Sequence, residues 1–188
     1  MAGPRERMVA SAALLIRERG AHPTAIADVL AHSGAPRGSA YHYFPGGRNQ
    51  LLCEAIDYAS DQVAARIDKA DSAGVLLDAM IAGFRKQLSA SDFRAGCPVV
   101  AVAVEAGEPG AEETAALDRA GAAFLRWTGQ ITRRLKEDGV SAERAEELAM
   151  LIMTAIEGAV VVARATRDVK PLDLIHRQLR AQLATEIP

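Results

Sequence analysis

The sequence predicts an all-α protein, and three observations carry that expectation. Hydrophobic residues fill 49% of the 188 positions, mostly as Ala, Leu, Val and Ile; no stretch alternates strictly between apolar and polar residues; and apolar positions recur at helical spacing between Gly, Pro and Ser/Thr breaks. About nine helices follow, three short ones at the N-terminus and the rest in a longer helical C-terminal part.

From Pro4 to Arg19 the spacing sets Met8, Ala12, Leu15 and Arg19 on one face, and Gly20 stops the helix. Thr24 offers a hydroxyl N-cap to a short helix with Ile26, Val29 and Leu30 inward, closed by Gly34. Pro36, tolerated at a first helical position, opens another short helix to about Tyr43. Beyond the loop Phe44-Pro45-Gly46-Gly47, a long helix from Arg48 towards Asp71 places Leu51, Leu52, Ala55, Ile56, Ala59, Val63 and Ile67 at helical spacing and links the two parts. Helices are then expected over Val75 to Ser89, Pro98 to Ala106 (between Gly96 and Gly107-Glu108-Pro109-Gly110), and Glu112 to Asp138, ended by Gly139. Ser141 caps the next, Ala142 to Thr166, which is apolar nearly all round and so reads as buried. Pro171 opens the last, with Leu172, Ile175, Leu179 and Leu183 in one stripe and Arg177 and Arg180 outside.

The net charge of -2 argues against a protein that coats nucleic acid without specificity. Its distribution is uneven. Residues 1–56 carry Arg5, Arg7, Arg17, Arg19, Arg37 and Arg48 against Glu6, Glu18, Asp28 and Glu54, a net +2, and the remainder is net -4. The basic end is the candidate nucleic-acid face. Two cysteines far apart, Cys53 and Cys97, give no disulfide framework and no metal set, so a reducing cytoplasm is expected. A start that turns charged at once, and the absence of an uninterrupted apolar run of about 18 residues, predict a protein that is neither exported nor in a membrane.

Two short helices flanking a tight turn over Ala25 to Phe44 have the layout of a helix-turn-helix, in which the second helix enters the major groove and the first braces it. Helix corners of this kind also occur in plain bundles, so the side chains decide. Arg37, Gly38 and Ser39 at the start of the second helix supply a charged fork, a missing Cβ and a small hydroxyl, all suited to close approach to phosphates or base edges.

The segments Pro23-Thr24-Ala25-Ile26-Ala27-Asp28-Val29-Leu30 and Gly34-Ala35-Pro36-Arg37-Gly38-Ser39-Ala40-Tyr41-His42-Tyr43-Phe44-Pro45 closely resemble the DNA-binding domain of TetR-family repressors, over about residues 4–58. The aromatic-rich end, Tyr41 to Pro45, is the specific part of that likeness. Downstream, Pro45-Gly46-Gly47-Arg48-Asn49-Gln50-Leu51, Gly96-Cys97-Pro98-Val99-Val100-Ala101, and Glu157-Gly158-Ala159 followed by Pro171-Leu172 are similar to the LmrA/YxaF-like branch. The resemblance implies a DNA-binding domain over 4–58 and a regulatory, ligand-binding and dimerisation domain over 59–188. It also implies DNA-contacting roles for Thr24, Ala25, Arg37, Gly38, Ser39, Tyr41, His42 and Arg48. Pro36 stands where the family usually has a capping residue, a change worth roughly 1 kcal/mol, and Ala25 and Ala40 are smaller than the usual Thr or Leu. These departures bear on base preference.

Each candidate has a blander reading. His42 either donates to a phosphate or closes the helix beside Phe44, and its place in the motif favours DNA. Tyr41 is divided between DNA contact and core plug, and Phe44 belongs to the core. Arg48 opposes the dipole at a helix N-terminus, which a nearby phosphate would explain, a solvated arginine being the alternative. In the C-terminal part, Phe84, Leu88, Phe124, Trp127, Met150 and Met153 suit an apolar pocket between helices as well as they suit a core. Glu157, within Ala155-Ile156-Glu157-Gly158, either meets a cationic ligand or is paired or exposed at a helix edge.

The function expected is therefore a homodimeric, ligand-responsive DNA-binding transcriptional regulator. It would be a repressor released from a palindromic operator by a small apolar or amphipathic molecule, with no cofactor, metal or membrane. No phosphate loop, nucleophile elbow or paired metal ligands suggest an enzyme. The rival is a dimeric helical adaptor that binds a protein partner instead of DNA.

Overall fold

The computed structural model describes residues 3–105 and 111–187. Among the described residues there are nine helices and no strand: α1 (Pro4–Arg19), α2 (Ile26–Ser33), α3 (Ser39–Tyr43), α4 (Gly47–Asp68), α5 (Ala73–Ala90), α6 (Pro98–Val104), α7 (Ala111–Glu137), α8 (Ala142–Thr166) and α9 (Lys170–Glu186). The expected stop over Gly107 to Gly110 lies outside the described residues.

Two starts differ from expectation, for local hydrogen-bonding reasons. The N-cap of α2 is Ala25, whose N–H is accepted by the Asp28 carboxylate at 3.2 Å. The Thr24 hydroxyl instead donates backwards to the Gly20 carbonyl at 2.7 Å. Pro36 does not open α3: its carbonyl accepts both the N–H and the hydroxyl of Ser39, at 2.9 and 2.6 Å, so Pro36 to Gly38 form a turn and the helix begins at Ser39. The missing cap expected at Pro36 is thus not a helix cap at all. Other ends move by one to three residues, as frayed termini do.

The chain divides into two compact units, Met1–Gln62 with Cys97–Ala123, and Val63–Gly96 with Phe124–Pro188. Within the first unit α6 lies against α1 and so packs with the N-terminal helices. In the first unit Met8, Ala12 and Ile16 of α1, Val29 of α2, Ala40 of α3, and Leu51, Ala55 and Ile56 of α4 are buried together with Phe44 and Val99. In the second, α8 packs on α9, and α5 on both. Its core holds Leu77, Ile81, Trp127, Ile131, Leu148, Ile156 and Leu179.

The face of α8 turned from this core is apolar too: Met150, Leu151, Val161 and Val162 are each about half exposed, and Leu174 on α9 likewise. Apolar residues on both faces give α8 a mean hydropathy of 1.8 over its richest window, so by length and composition it is apolar enough to cross a membrane. Counting uninterrupted apolar runs overlooked it, because Glu157 breaks the run while the average stays high.

Phe44 and Tyr41 lie three residues apart and serve opposite ends. Phe44 is 1% exposed and Tyr41 75%. Arg5 stacks its guanidinium over the Phe44 ring at 5.4 Å while bonding both Glu54 oxygens at 2.7 and 2.8 Å. Phe44→Ala is expected to lower stability by about 3–5 kcal/mol in urea unfolding, whereas Tyr41→Ala stays within about 0.5 kcal/mol of the parent protein.

Candidate nucleic-acid interface and effector pocket

The reading head is built on a turn held from two sides. Residues 20–24 join α1 to α2. Gly20 sits there at φ +96, a conformation open to glycine, and a Cβ on it would collide with the Glu105 carboxylate. One oxygen of that carboxylate, just past the end of α6, accepts the N–H groups of Ala21 and His22 at 2.9 and 2.8 Å. From α4 the Arg48 guanidinium donates to the carbonyls of Ala21, His22 and Thr24 at 2.5, 3.0 and 2.9 Å. An anion thus gathers the turn's donors and a cation its acceptors, the two charge-assisted arrangements that hold backbone most firmly.

Two of the candidate DNA-contacting residues are engaged within the protein. Arg48 faces the α1–α2 turn, so its geometry explains its position without a phosphate. Thr24 is 1% exposed with its hydroxyl bonded internally, so its side chain presents nothing to a duplex. Ala25 is exposed at the head of α2. On the second helix Ala40 and Phe44 point inward, while Arg37, Gly38, Tyr41 and His42 are exposed and Ser39 is half-buried. His42 meets the Tyr43 ring edge-on, with centroids 5.1 Å apart.

The charge asymmetry also takes on a different meaning. Arg5 pairs with Glu54, Arg19 approaches Asp28 at 3.6 Å, Arg7 donates to the Ser33 carbonyl, Arg48 holds the turn, and Arg17 is engaged as well. Among the described residues Arg37 forms no ion pair or hydrogen bond. The basic surplus is largely consumed within the protein, and the cation left projecting is the one at the mouth of α3.

A separate cavity of about 280 Å³ lies within the second unit. Its walls are the end of α4 (Val63, Arg66, Ile67), Lys69 and Ala70 just beyond, one face of α5, Trp127 of α7, and Met153 and Glu157 of α8. On α5, Leu76, Met80, Gly83, Phe84 and Gln87 fall on one helical face. Of the residues the sequence singled out, Phe84, Trp127, Met153 and Glu157 line this space. Three others do not. Leu88 is fully buried in the core; Phe124 stacks edge-on against Trp127 at 5.6 Å without reaching the wall; and Met150, 51% exposed, lies outside the cavity on the solvent side of α8. A helix apolar on every side gives no sequence signal for choosing between its faces. The α4 residues and, Phe84 apart, those of α5 were missed, although one signal was available: Gly83 sits mid-helix at a cost of about 1 kcal/mol relative to Ala, and nothing lies within 4 Å of where its Cβ would be.

Both cysteines are buried thiols outside any disulfide. Burial pushes the Cys53 thiol up from its ordinary value, away from the reactive thiolate.

Comparison with known proteins agrees with this geometry. The profile of bacterial regulatory proteins of the tetR family matches residues 9–55, and that of the LmrA/YxaF-like transcriptional regulator C-terminal domain matches residues 73–178. The chain belongs to the TetR family. It is similar to an uncharacterized HTH-type transcriptional regulator, Rv0196, of Mycobacterium tuberculosis, with 60% identity covering 100% of this chain and 98% of that one. YxaF of Bacillus subtilis is 30% identical over 93% of this chain and 92% of its own. Among solved structures, a TetR transcriptional regulator from Legionella pneumophila superposes with a TM-score of 0.82 at 20% identity, covering 97% of this chain and 98% of that one. One from Chloroflexus aurantiacus gives 0.75 at 26% identity, covering 98% and 96%. This TetR-family chain is therefore a DNA-binding, helix-turn-helix transcriptional regulator and not an enzyme.

The clamp on the α1–α2 turn has a direct readout. Glu105→Ala should raise amide hydrogen exchange at Ala21 and His22 by about tenfold, equivalent to roughly 1.4 kcal/mol. Residues elsewhere in α1 should exchange as before, and Glu105→Gln, which keeps an acceptor, should fall between.

Proposed function

We propose that this regulator is a homodimeric repressor whose recognition helix is α3, and that a small molecule entering the cavity of the second unit releases it from a near-palindromic operator. The observation that carries the reading is the division of α3 and the turn before it: Ala40 and the adjoining Phe44 anchor the helix to the core, while Tyr41 and His42 on it and Arg37 and Gly38 in the turn are exposed. An arginine fork suits guanine or phosphate, and a tyrosine and a histidine beside it suit a thymine methyl and a phosphate. Gly38 adds to this. No atom lies within 4 Å of where its Cβ would be, so the fold itself does not demand glycine there, while close approach of a duplex would.

Residues 4–58 serve as the reading head and 59–188 as the regulatory part. Ala25 and Ser39 flank the outward face of α3, and Arg48 and Thr24 act by fixing the turn behind it. Dimerisation uses the outer face of α8, where Met150, Leu151, Thr154, Gly158, Val161 and Val162 recur at helical spacing, together with Leu174 of α9. Such a surface on a water-soluble regulator calls for a partner, and two-fold symmetry lets the same patch cover itself. Two reading heads would then face half-sites about 34–36 Å apart. The effector weakens DNA binding by a coupling free energy of about 1–3 kcal/mol, with α4, which carries Arg48 at one end and Arg66 at the other, transmitting it. The cytoplasm is the compartment this role requires, and buried thiols outside any disulfide suit it.

Arg37→Ala should weaken operator binding by about 1–3 kcal/mol in fluorescence anisotropy with the circular dichroism spectrum unchanged; normal binding would displace α3 from the groove. Val161→Asp should shift the protein towards monomer in analytical ultracentrifugation and lower operator affinity with it, whereas an unchanged dimer would place the interface elsewhere.

A further inference from the structure

Resting on the reading of the cavity as the effector site, we propose that its ligand is an amphipathic organic anion, held by its apolar body among Phe84, Trp127 and Met153 and by its anionic head at Arg66 and Lys69. The walls are chiefly apolar, and the two aromatic rings supply flat surface for a hydrocarbon or aromatic body. At about 280 Å³ the space suits a small ligand.

The charges on the lining give the sign. Arg66 stands in the last turn of α4 and Lys69 just beyond it; three residues apart on a helical path, they share a side. Among the described residues neither forms an ion pair or hydrogen bond. Several other arginines of the same unit do, the exposed Arg94 and Arg177 being exceptions: Arg85 pairs with Asp173, Arg133 with Asp68, Arg144 with Glu147 and Glu186, and Arg167 with Asp92. Two unneutralised cations beside an apolar cavity form the complement of a head group such as a carboxylate or sulfonate. Glu157, the carboxylate on the α8 wall, is half-buried and already holds an interaction within the protein. Its charge repels an anionic head, favouring the orientation with that head on the α4 side and the apolar body on the Trp127 side.

The chain contains a single tryptophan, Trp127, and it lies in the wall. Binding can thus be followed by calorimetry with Trp127 emission read in parallel, on the full-length protein, using three ligands that share a ten-carbon body: decanoate, decanol and decyltrimethylammonium. Decanoate should bind most tightly and change the emission. The double variant Arg66→Gln/Lys69→Gln, with both changes at exposed positions, should weaken decanoate by about tenfold and leave decanol unaltered. Decanol or the ammonium binding as tightly as decanoate, or a double variant that holds decanoate unchanged, would overturn the anionic assignment while leaving the cavity as the effector site. Heat without any change in Trp127 emission, or no binding by any of the three, would remove the cavity reading and the proposal with it.

Discussion

The α1–α2 turn is the constraint on which the reading head depends. A helix-turn-helix works only if its two helices keep a fixed angle, and α2 and α3 are too short, at eight and five residues, to be stable alone. Their orientation must come from outside. Arg48 supplies it from α4 and Glu105 from beyond α6, one on the carbonyls and the other on the amides of the same few residues. Gly20 is the enabling residue, because its missing side chain is what lets the carboxylate reach the backbone. The reading head is thereby tied to a segment 84 residues away in sequence.

That distance explains what sequence reading could and could not recover. Helix number, order and approximate ends were legible, since each rests on a 3.6-residue period bounded by Gly, Pro or a capping residue within a few positions. The inward place of Phe44 was legible for the same reason. Partners were not: Glu105 attracts no notice at the end of a short apolar helix, and Arg48 at a helix N-terminus suggests a phosphate until three carbonyls are seen around its guanidinium. Thr24 failed as a cap for a subtler reason. A hydroxyl before a helix can bond forward to the first turn or backward to the preceding one, and the Gly20 carbonyl was close enough to win.

The cavity shows the same limit from another side. Trp127, Phe84, Met153 and Glu157 were readable as residues a pocket would use, yet Leu88 and Met150 have the same chemistry and lie in the core and on the outer face of α8. Periodicity separates inside from outside when one face is polar, and α8 has no such face. Net charge misled in a similar way: six arginines in the first 56 residues suggest a basic surface, but most have partners within the protein, and Arg37 is the one that projects beside α3 without one among the described residues.

The proposed function requires a protein that reads DNA with one small helix per chain and obtains the rest of its specificity from pairing two chains. Selection of bound duplexes from a random-sequence library with the purified full-length protein tests that claim most directly. The account predicts enrichment of an inverted repeat, two matching half-sites one helical turn apart or a small multiple of it, with affinity that falls steeply as salt rises. Recovery of no motif, or of a single unpaired half-site, would contradict it.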